Sequence, residues 1–196
     1  MNGITSLGGA LLYLAACVFT SNPVFTRFLG TAPYAGPGDV GKSAKLGLYV
    51  TSAMTLSSLL AWPVHQLLAQ LSLGYLDAIC FLLLAAGVVA LLRLAVKSIS
   101  PAGYAAMEGA WTLILVDSAL LGVTLLNVWA QYDFLKSVLS GLFGGLGFTL
   151  AAVLLAGVRE RLATSKIPAS LKGLPITLIS AGLISLAFLG FMGMAK

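Results

Sequence analysis

The sequence predicts an all-α integral membrane protein with six transmembrane helices. Of its 196 residues, 59% are hydrophobic and 9% are charged, far from the composition of a water-soluble domain. About 20 apolar residues in a helix cross the hydrocarbon core of a bilayer. Runs of at least that length occupy residues 5–28, 46–69, 75–96, 106–128, 134–157 and 173–194. Because these runs leave almost no residues for a soluble domain, we expect one membrane domain over residues 1–196.

Basic residues are concentrated on one side of this predicted domain. The loops after the first, third and fifth spans share that side, which carries Arg27, Lys42, Lys45, Arg93, Lys97, Arg159, Arg161, Lys166 and Lys172. The other side carries only Lys136 and Lys196. By the positive-inside rule the basic side faces the cytoplasm, and both termini lie on the non-cytoplasmic side. The net charge of +5 therefore orients the protein and does not indicate nucleic-acid binding.

The two halves of the chain are expected to be inverted repeats. Residues 1–100 and 101–196 each contain three predicted spans, and an odd number of spans places two copies of one unit upside down relative to each other. A Leu-Gly step occurs in the second span at 46–47 and in the fifth at 146–147. This similarity is the sequence support for the repeat.

Polar residues interrupt the first and fourth spans. Pro23 removes one helical hydrogen bond from the first span, and the neighbouring Asn22 can bond the freed carbonyls. Asp117 and Ser118 lie near the centre of the fourth span. Interrupted helices at matching positions of two halves indicate a site near the membrane midplane. A simple Pro kink, with Asp and Ser satisfied locally, explains the same residues, and the sequence leaves both interpretations open.

The fifth span carries a pair of small residues that favours close helix contact. Gly141 and Gly145 are four residues apart and lie on one helix face. Such a small-xxx-small pair lets two helix backbones approach each other. The neighbouring helix can belong to this chain or to a partner protein.

The chain by itself offers no metal site and no catalytic group. Cys17 and Cys80 lie in predicted spans without a second Cys or a His at ligand spacing, so we expect them to pack as small apolar side chains. His65, the only histidine, is expected at the membrane interface. The sequence contains no glycine-rich nucleotide motif and no nucleophile paired with a base.

Three segments together resemble a known family. The segment from Gly147 to Lys196 contains RERL, a Pro after a short linker, a Lys-Gly step and LISAGLISLAF, in that order. With FLGTAPYAG at 28–36 and ALLGVTLLN at 119–127, it resembles the small six-span membrane subunits of the Rnf/Nqr family. Within that family it is most similar to the A-type subunit of Rnf and to its counterpart in Nqr, the E-type subunit. The resemblance covers almost the whole chain.

The resemblance implies a role inside a larger complex. Complexes of this family move electrons between NADH, ferredoxin or quinone and couple the transfer to sodium or proton transport across a bacterial or archaeal inner membrane. The chain would then be non-catalytic alone. Its expected partners are a homologous six-span subunit in the opposite orientation and the flavin and iron–sulfur subunits of the complex. In the family, four cysteine thiolates from the two six-span subunits hold a [2Fe–2S] cluster within the membrane.

This chain departs from the family at the cluster ligands. The two cysteine positions are occupied here by Ala32 and Ser118. Alanine cannot bind iron, and a neutral serine is a poor replacement for a thiolate. Either the electron route bypasses this chain, which then acts as a scaffold or an ion pathway, or a cluster remains at the partner interface with fewer or different ligands.

Asp117 is the principal ion-pathway candidate. An ionisable residue near the membrane centre costs about 2.5–3.5 kcal/mol on insertion scales, which makes it a functional candidate by default. Ser118, Asn22 and Thr124 are its expected polar neighbours. Glu108, near the cytoplasmic end of the fourth span, is either an entry point for the cation or one half of an interfacial ion pair.

A second class of function fits the same residues. Because both ligand cysteines are absent, the chain could serve as a stand-alone secondary transporter or channel built on the same scaffold. Redox subunits that copurify with the protein would favour the complex, and their absence would favour the transporter.

Overall fold

The structure, a computed structural model, describes residues 7–193, and no β-strand occurs in that range. The α-helices are α1 (Leu7–Ala15), α2 (Ala32–Ala35), α3 (Val40–Gln70), α4 (Asp77–Ile99), α5 (Pro101–Ala106), α6 (Glu108–Leu115), α7 (Ser118–Trp129), α8 (Phe134–Ala163) and α9 (Leu174–Leu189). A π-helical turn at Ala16–Thr20 extends α1, and short 3-10 turns occupy Gly74–Leu76, Ala169–Leu171 and Gly190–Gly193.

Three helical stretches of the described chain are long and apolar enough to cross a membrane. They are Gly74–Ile99, Glu108–Trp129 and Phe134–Ala163, and Leu174–Leu189 is a shorter apolar helix. The all-α membrane class is therefore confirmed. The count of six spans, the repeat and the sidedness remain predictions, and both chain ends, including Lys196, lie outside the described residues.

The centre of the fold is an antiparallel pair formed by α3 and α8. A Cβ added at Gly47 would lie 2.7 Å from Thr149, and one added at Gly145 would lie 2.6 Å from Thr51. The hydroxyl groups of Thr51 and Thr149 are 2.9 Å apart. Gly141 also lies directly against α3. The small-xxx-small pair of the fifth span thus packs within this chain, where missing side chains let the two backbones approach.

The remaining helices surround this pair. α4 packs against α3 and α7, and α9 packs against α8. Phe25, from the segment after the π-helical turn, is buried, and its ring lies 4.8 Å from the ring of Phe188 on α9. The Ser185 hydroxyl, also on α9, donates to the carbonyl of Phe25. These contacts hold the first broken segment between α8 and α9.

Both predicted interruptions are present. After Ala16–Thr20 the chain leaves the helix at Ser21 and becomes helical again only at α2. In the fourth predicted span, α6 ends at Leu115 and α7 begins at Ser118. We refer to the segments 21–31 and 116–117 as the first and second breaks.

Arg27 lies within the first break and not in a loop between two complete helices. We expected it in a loop with the other cytoplasmic basic residues. It lies instead in the first break and lines a cavity with Tyr13, Trp129 and Tyr132. The chain folds back at the first break, so a residue that follows a span in sequence remains beside the helices. The membrane side of Arg27, like that of the other basic residues, remains a prediction.

Adjacent glycines of α8 test the α3–α8 contact. We expect Gly145→Ala to lower the free energy of unfolding by about 1–3 kcal/mol, because the added methyl group collides with the backbone of Thr51. Gly144→Ala is the matched control, since its Cβ would meet only Val123 at an ordinary 3.7 Å. Both variants gain the same helix propensity. Denaturant unfolding in detergent measures the difference, and equal stability of the two variants would contradict the packing.

Candidate functional site at two broken helices

Asn22 satisfies the backbone of the first break. Its side chain is fully buried, and Nδ2 donates to the carbonyls of Val18 at 2.8 Å and Gly147 at 2.9 Å. Its Oδ1 accepts from the amides of Val24 at 2.9 Å and Phe25 at 3.2 Å. Inside a membrane an unpaired backbone group costs several kcal/mol. Since both polar atoms of Asn22 are engaged in this way, its evident role is structural.

Asp117 begins α7 at the second break. Its Oδ1 accepts from the amide of Ala119 at 3.1 Å, the usual role of Asp at a helix N-terminus. The amides of Thr31 and Ala32, from the first break and the start of α2, face the same carboxyl group. Oδ2 is buried and accepts no hydrogen bond within the described chain. Because Asp117 is only 5% exposed, this oxygen is a buried acceptor available to a proton, a cation or a water molecule.

The two breaks meet directly at Gly30. Its amide donates to the Ser118 hydroxyl at 3.1 Å. Gly30 has φ +95°, a conformation that L side chains rarely adopt. A Cβ there would also lie 2.8 Å from the Phe148 ring and 2.9 Å from Oδ1 of Asp117. Only glycine therefore lets the first break approach the second so closely.

Arg159 fastens the segment that follows the first break to the end of α8. Its two terminal nitrogens donate to four backbone carbonyls, those of Pro33, Tyr34, Gly36 and Pro37, at 2.9–3.3 Å. From the sequence we regarded this arginine only as part of the cytoplasmic basic side. The structure also shows that it orients α2 and the residues that directly follow it.

The other predicted ion-pathway residues lie apart from this centre. Thr124 is buried in α7 about two helical turns after Asp117. Its hydroxyl donates to the carbonyls of Leu120 and Leu121. Glu108 is exposed in the first turn of α6. The only ion pair within the described chain joins His65 to Asp77, so Glu108 has no ion-pair partner there. Among the predicted residues, the structure brings together Asp117, Ser118 and Ala32.

A polar cavity that the sequence did not indicate lies farther along α7. Its volume is about 200 Å³, and Thr124, Asn127, His65 and Ser137 are among its lining residues. Asn127 donates to the Ser137 hydroxyl at 3.1 Å, while its own Oδ1 is buried without a partner among the described residues. A cavity of this size and polarity can hold ordered water. No local motif signals it, because its residues come from separate helices.

The residues at the breaks do not fit an iron–sulfur cluster. Ala32 is fully buried and has no ligand atom, and the Ser118 oxygen is engaged by the Gly30 amide. Within the described residues no group of three or more His, Cys, Asp or Glu side chains could hold a metal ion. Soft thiolates are the ligands that such clusters require, and the nearest donor here is the hard carboxyl group of Asp117.

The contacts of Arg159 lead to a stability prediction. We expect Arg159→Lys to lower the free energy of unfolding by about 2 kcal/mol or more, because a lysine cannot reproduce the planar fork that bonds four carbonyls. For a chain of this size that loss corresponds to about 4–8 °C in the melting temperature. Arg161→Lys, on the exposed side of the same helix end, is the control. Equal melting temperatures would show that the carbonyl contacts contribute nothing.

Comparisons with known proteins identify the family to which the chain belongs. A family model described as Rnf-Nqr subunit, membrane protein, matches residues 10–195. The A subunit of the Na(+)-translocating ferredoxin:NAD(+) oxidoreductase complex of Acetobacterium woodii is 42% identical over 186 residues, which cover 94% of this chain and 97% of the relative. The A subunit of the ion-translocating oxidoreductase complex of Edwardsiella ictaluri is 43% identical, over 95% of this chain and 97% of the relative. The corresponding A subunit of Sodalis glossinidius is 40% identical, over 97% of this chain and 100% of the relative. The chain therefore belongs to the Rnf-Nqr subunit family of membrane proteins.

Proposed function

We propose that this chain is the A-type membrane subunit of an ion-translocating oxidoreductase complex, in which it acts as a scaffold or ion pathway and not as an electron relay. Relatives at about 40% identity over nearly the full chain are named as the A subunits of such complexes. The observation that carries the proposal is the meeting of the two breaks around Asp117 without a thiolate at Ala32 or Ser118. A chain of this kind is non-catalytic by itself.

Asp117 is the proposed centre of the ion pathway. Its Oδ2, which has no hydrogen-bond partner among the described residues, lies where the first and second breaks meet. An ionisable side chain at such a place inside a membrane is a functional candidate. Ser118 lies beside it, and Thr124 lines the polar cavity farther along α7. Asn22 stabilises the first break through its hydrogen bonds to the backbone. Glu108, exposed at the start of α6, is the proposed entry point for the cation.

A partner protein is proposed to cover the surface around the breaks. Arg27 is exposed, and the neighbouring Phe28 and Val116 are 58% and 71% exposed. Lipid cannot satisfy irregular backbone or a cationic side chain within an apolar span. A protein partner can satisfy both. A homologous six-span subunit in the opposite orientation fits, because it would present its own two breaks to this surface.

The membrane arrangement follows from the same scaffold. We place six spans in the inner membrane of a bacterial or archaeal cell as two inverted three-helix repeats, 1–100 and 101–196. The antiparallel α3–α8 pair supports this arrangement, since each member follows a broken helix and precedes another apolar helix. Both termini are placed on the non-cytoplasmic side. Flavin and iron–sulfur groups are assigned to partner subunits.

Copurification tests the assignment to a complex. We expect the tagged, natively expressed chain in mild detergent to bring with it a second six-span homologue together with flavin and iron–sulfur subunits, identified by mass spectrometry. If the chain is recovered alone or as a homodimer, the complex is excluded and the stand-alone transporter becomes the better assignment.

Replacement of Asp117 tests the ion pathway. We expect Asp117→Asn to lower redox-driven ion transport in reconstituted vesicles by about tenfold or more, the change produced by raising one barrier by about 1.4 kcal/mol. The amide keeps the size of the side chain and an acceptor for the Ala119 amide, so the helix start is preserved. Glu160→Gln, which removes one carboxyl charge at an exposed position of α8, is the control. Unchanged transport in Asp117→Asn would assign the chain to the scaffold role alone.

A further inference from the structure

We propose that the negative charge of the Asp117 carboxyl group, held in the amide-lined space between the two breaks, excludes an iron–sulfur cluster, even when a partner protein supplies thiolates. The inference rests on the proposed function, since it concerns the face that would meet a homologous six-span protein. It goes beyond the missing cysteines, because it names a group of this chain that fills the position.

The amides around Asp117 form an anion-accepting site. The Ala119 amide donates to Oδ1 at 3.1 Å, and the amides of Thr31 and Ala32 face the carboxyl group from the opposite break. Backbone amides that converge in this way favour a negatively charged group. The Asp117 side chain takes that place from within the chain.

The carboxyl group also occupies the space itself. Oδ1 lies 2.9 Å from the position of a Cβ on Gly30, which means that the side chain sits directly against the first break. The Gly30 amide bonds the Ser118 hydroxyl at 3.1 Å and draws the two breaks together. Ala32 is fully buried behind them. This packing places the charge of Asp117 directly against the ligand positions.

Charge acts in the same direction as packing. A cluster bound by four thiolates carries net negative charge and is stabilised by hydrogen bonds from nearby amides to its sulfurs. A carboxyl group in the same space competes for those amides and repels that charge. An asparagine has the same size and keeps one acceptor oxygen, but it carries no charge, so it removes the repulsion. Asp117 therefore opposes the cluster independently of the residues at 32 and 118.

Cysteine restoration with and without Asp117 tests the proposal. The double variant Ala32→Cys/Ser118→Cys and the triple variant that adds Asp117→Asn are purified as full complexes with their natural partners. Iron and acid-labile sulfide are measured per complex, with the visible and electron paramagnetic resonance spectra. We expect the triple variant to gain about two iron atoms over the wild type, as one [2Fe–2S] cluster requires. The double variant is expected to gain fewer than half as many.

Two results would overturn the inference. One is an equal gain of iron in the double and triple variants, which would mean that Asp117 is no obstacle. The other is no gain in the triple variant, which would mean that the charge of Asp117 is not what excludes the cluster. Asp117→Asn alone is the control for assembly and background iron, and size-exclusion profiles confirm that each variant assembles like the wild type.

The outcome is separable from that of the proposed function. Copurification of wild-type partners decides whether the chain belongs to a complex, whereas the iron comparison between variants decides the role of Asp117. If the wild type is recovered as a homodimer, the complex is excluded, and the same comparison on the homodimer still decides whether Asp117 prevents a cluster.

Discussion

The fold depends on one constraint, which is that a helix broken within a membrane must find partners for its backbone inside the protein. Asn22 meets this requirement at the first break by bonding two carbonyls and two amides. At the second break Asp117 bonds the start of α7, and Ser118 accepts from Gly30 of the first break. Each break therefore stabilises itself and the other, and their meeting places a buried carboxyl oxygen between them.

The rest of the structure keeps these breaks in position. The close α3–α8 pair places Gly147 where Asn22 can bond its carbonyl. Arg159, near the C-terminal end of α8, donates to the carbonyls of Gly36 and Pro37 and so holds the residues after α2 in place. α8 thus contacts the first break at Gly147 and the segment after it at Arg159. A change in α8 packing is expected to reach the site although the residues involved are far from it in sequence.

The sequence predicted the parts of this arrangement that depend on local composition. Apolar runs gave the helices, and Pro23 and Asp117 marked the breaks because each disfavours a continuous apolar helix at its position. The sequence could not give contacts between distant residues. Asn22 and Gly147 are 125 residues apart, and neither residue signals the other.

Two charged residues illustrate the same limit. Arg159 was interpreted from its position at the end of a span, where basic residues are common, whereas its actual partners are carbonyls more than 120 residues away. Arg27 was assigned from loop counting, which assumes that the chain leaves the helices after each span. The first break instead folds back among them.

Hydrogen–deuterium exchange tests the central claim that side chains satisfy the broken backbone. The native protein in lipid nanodiscs is compared with Asn22→Ala, and peptides covering residues 22–32 are followed beside the linker at 164–168. We expect slow exchange at 22–32 in the wild type and clearly faster exchange in Asn22→Ala, while the linker exchanges rapidly in both. Exchange at 22–32 as fast as in the linker, or unchanged by Asn22→Ala, would contradict this claim.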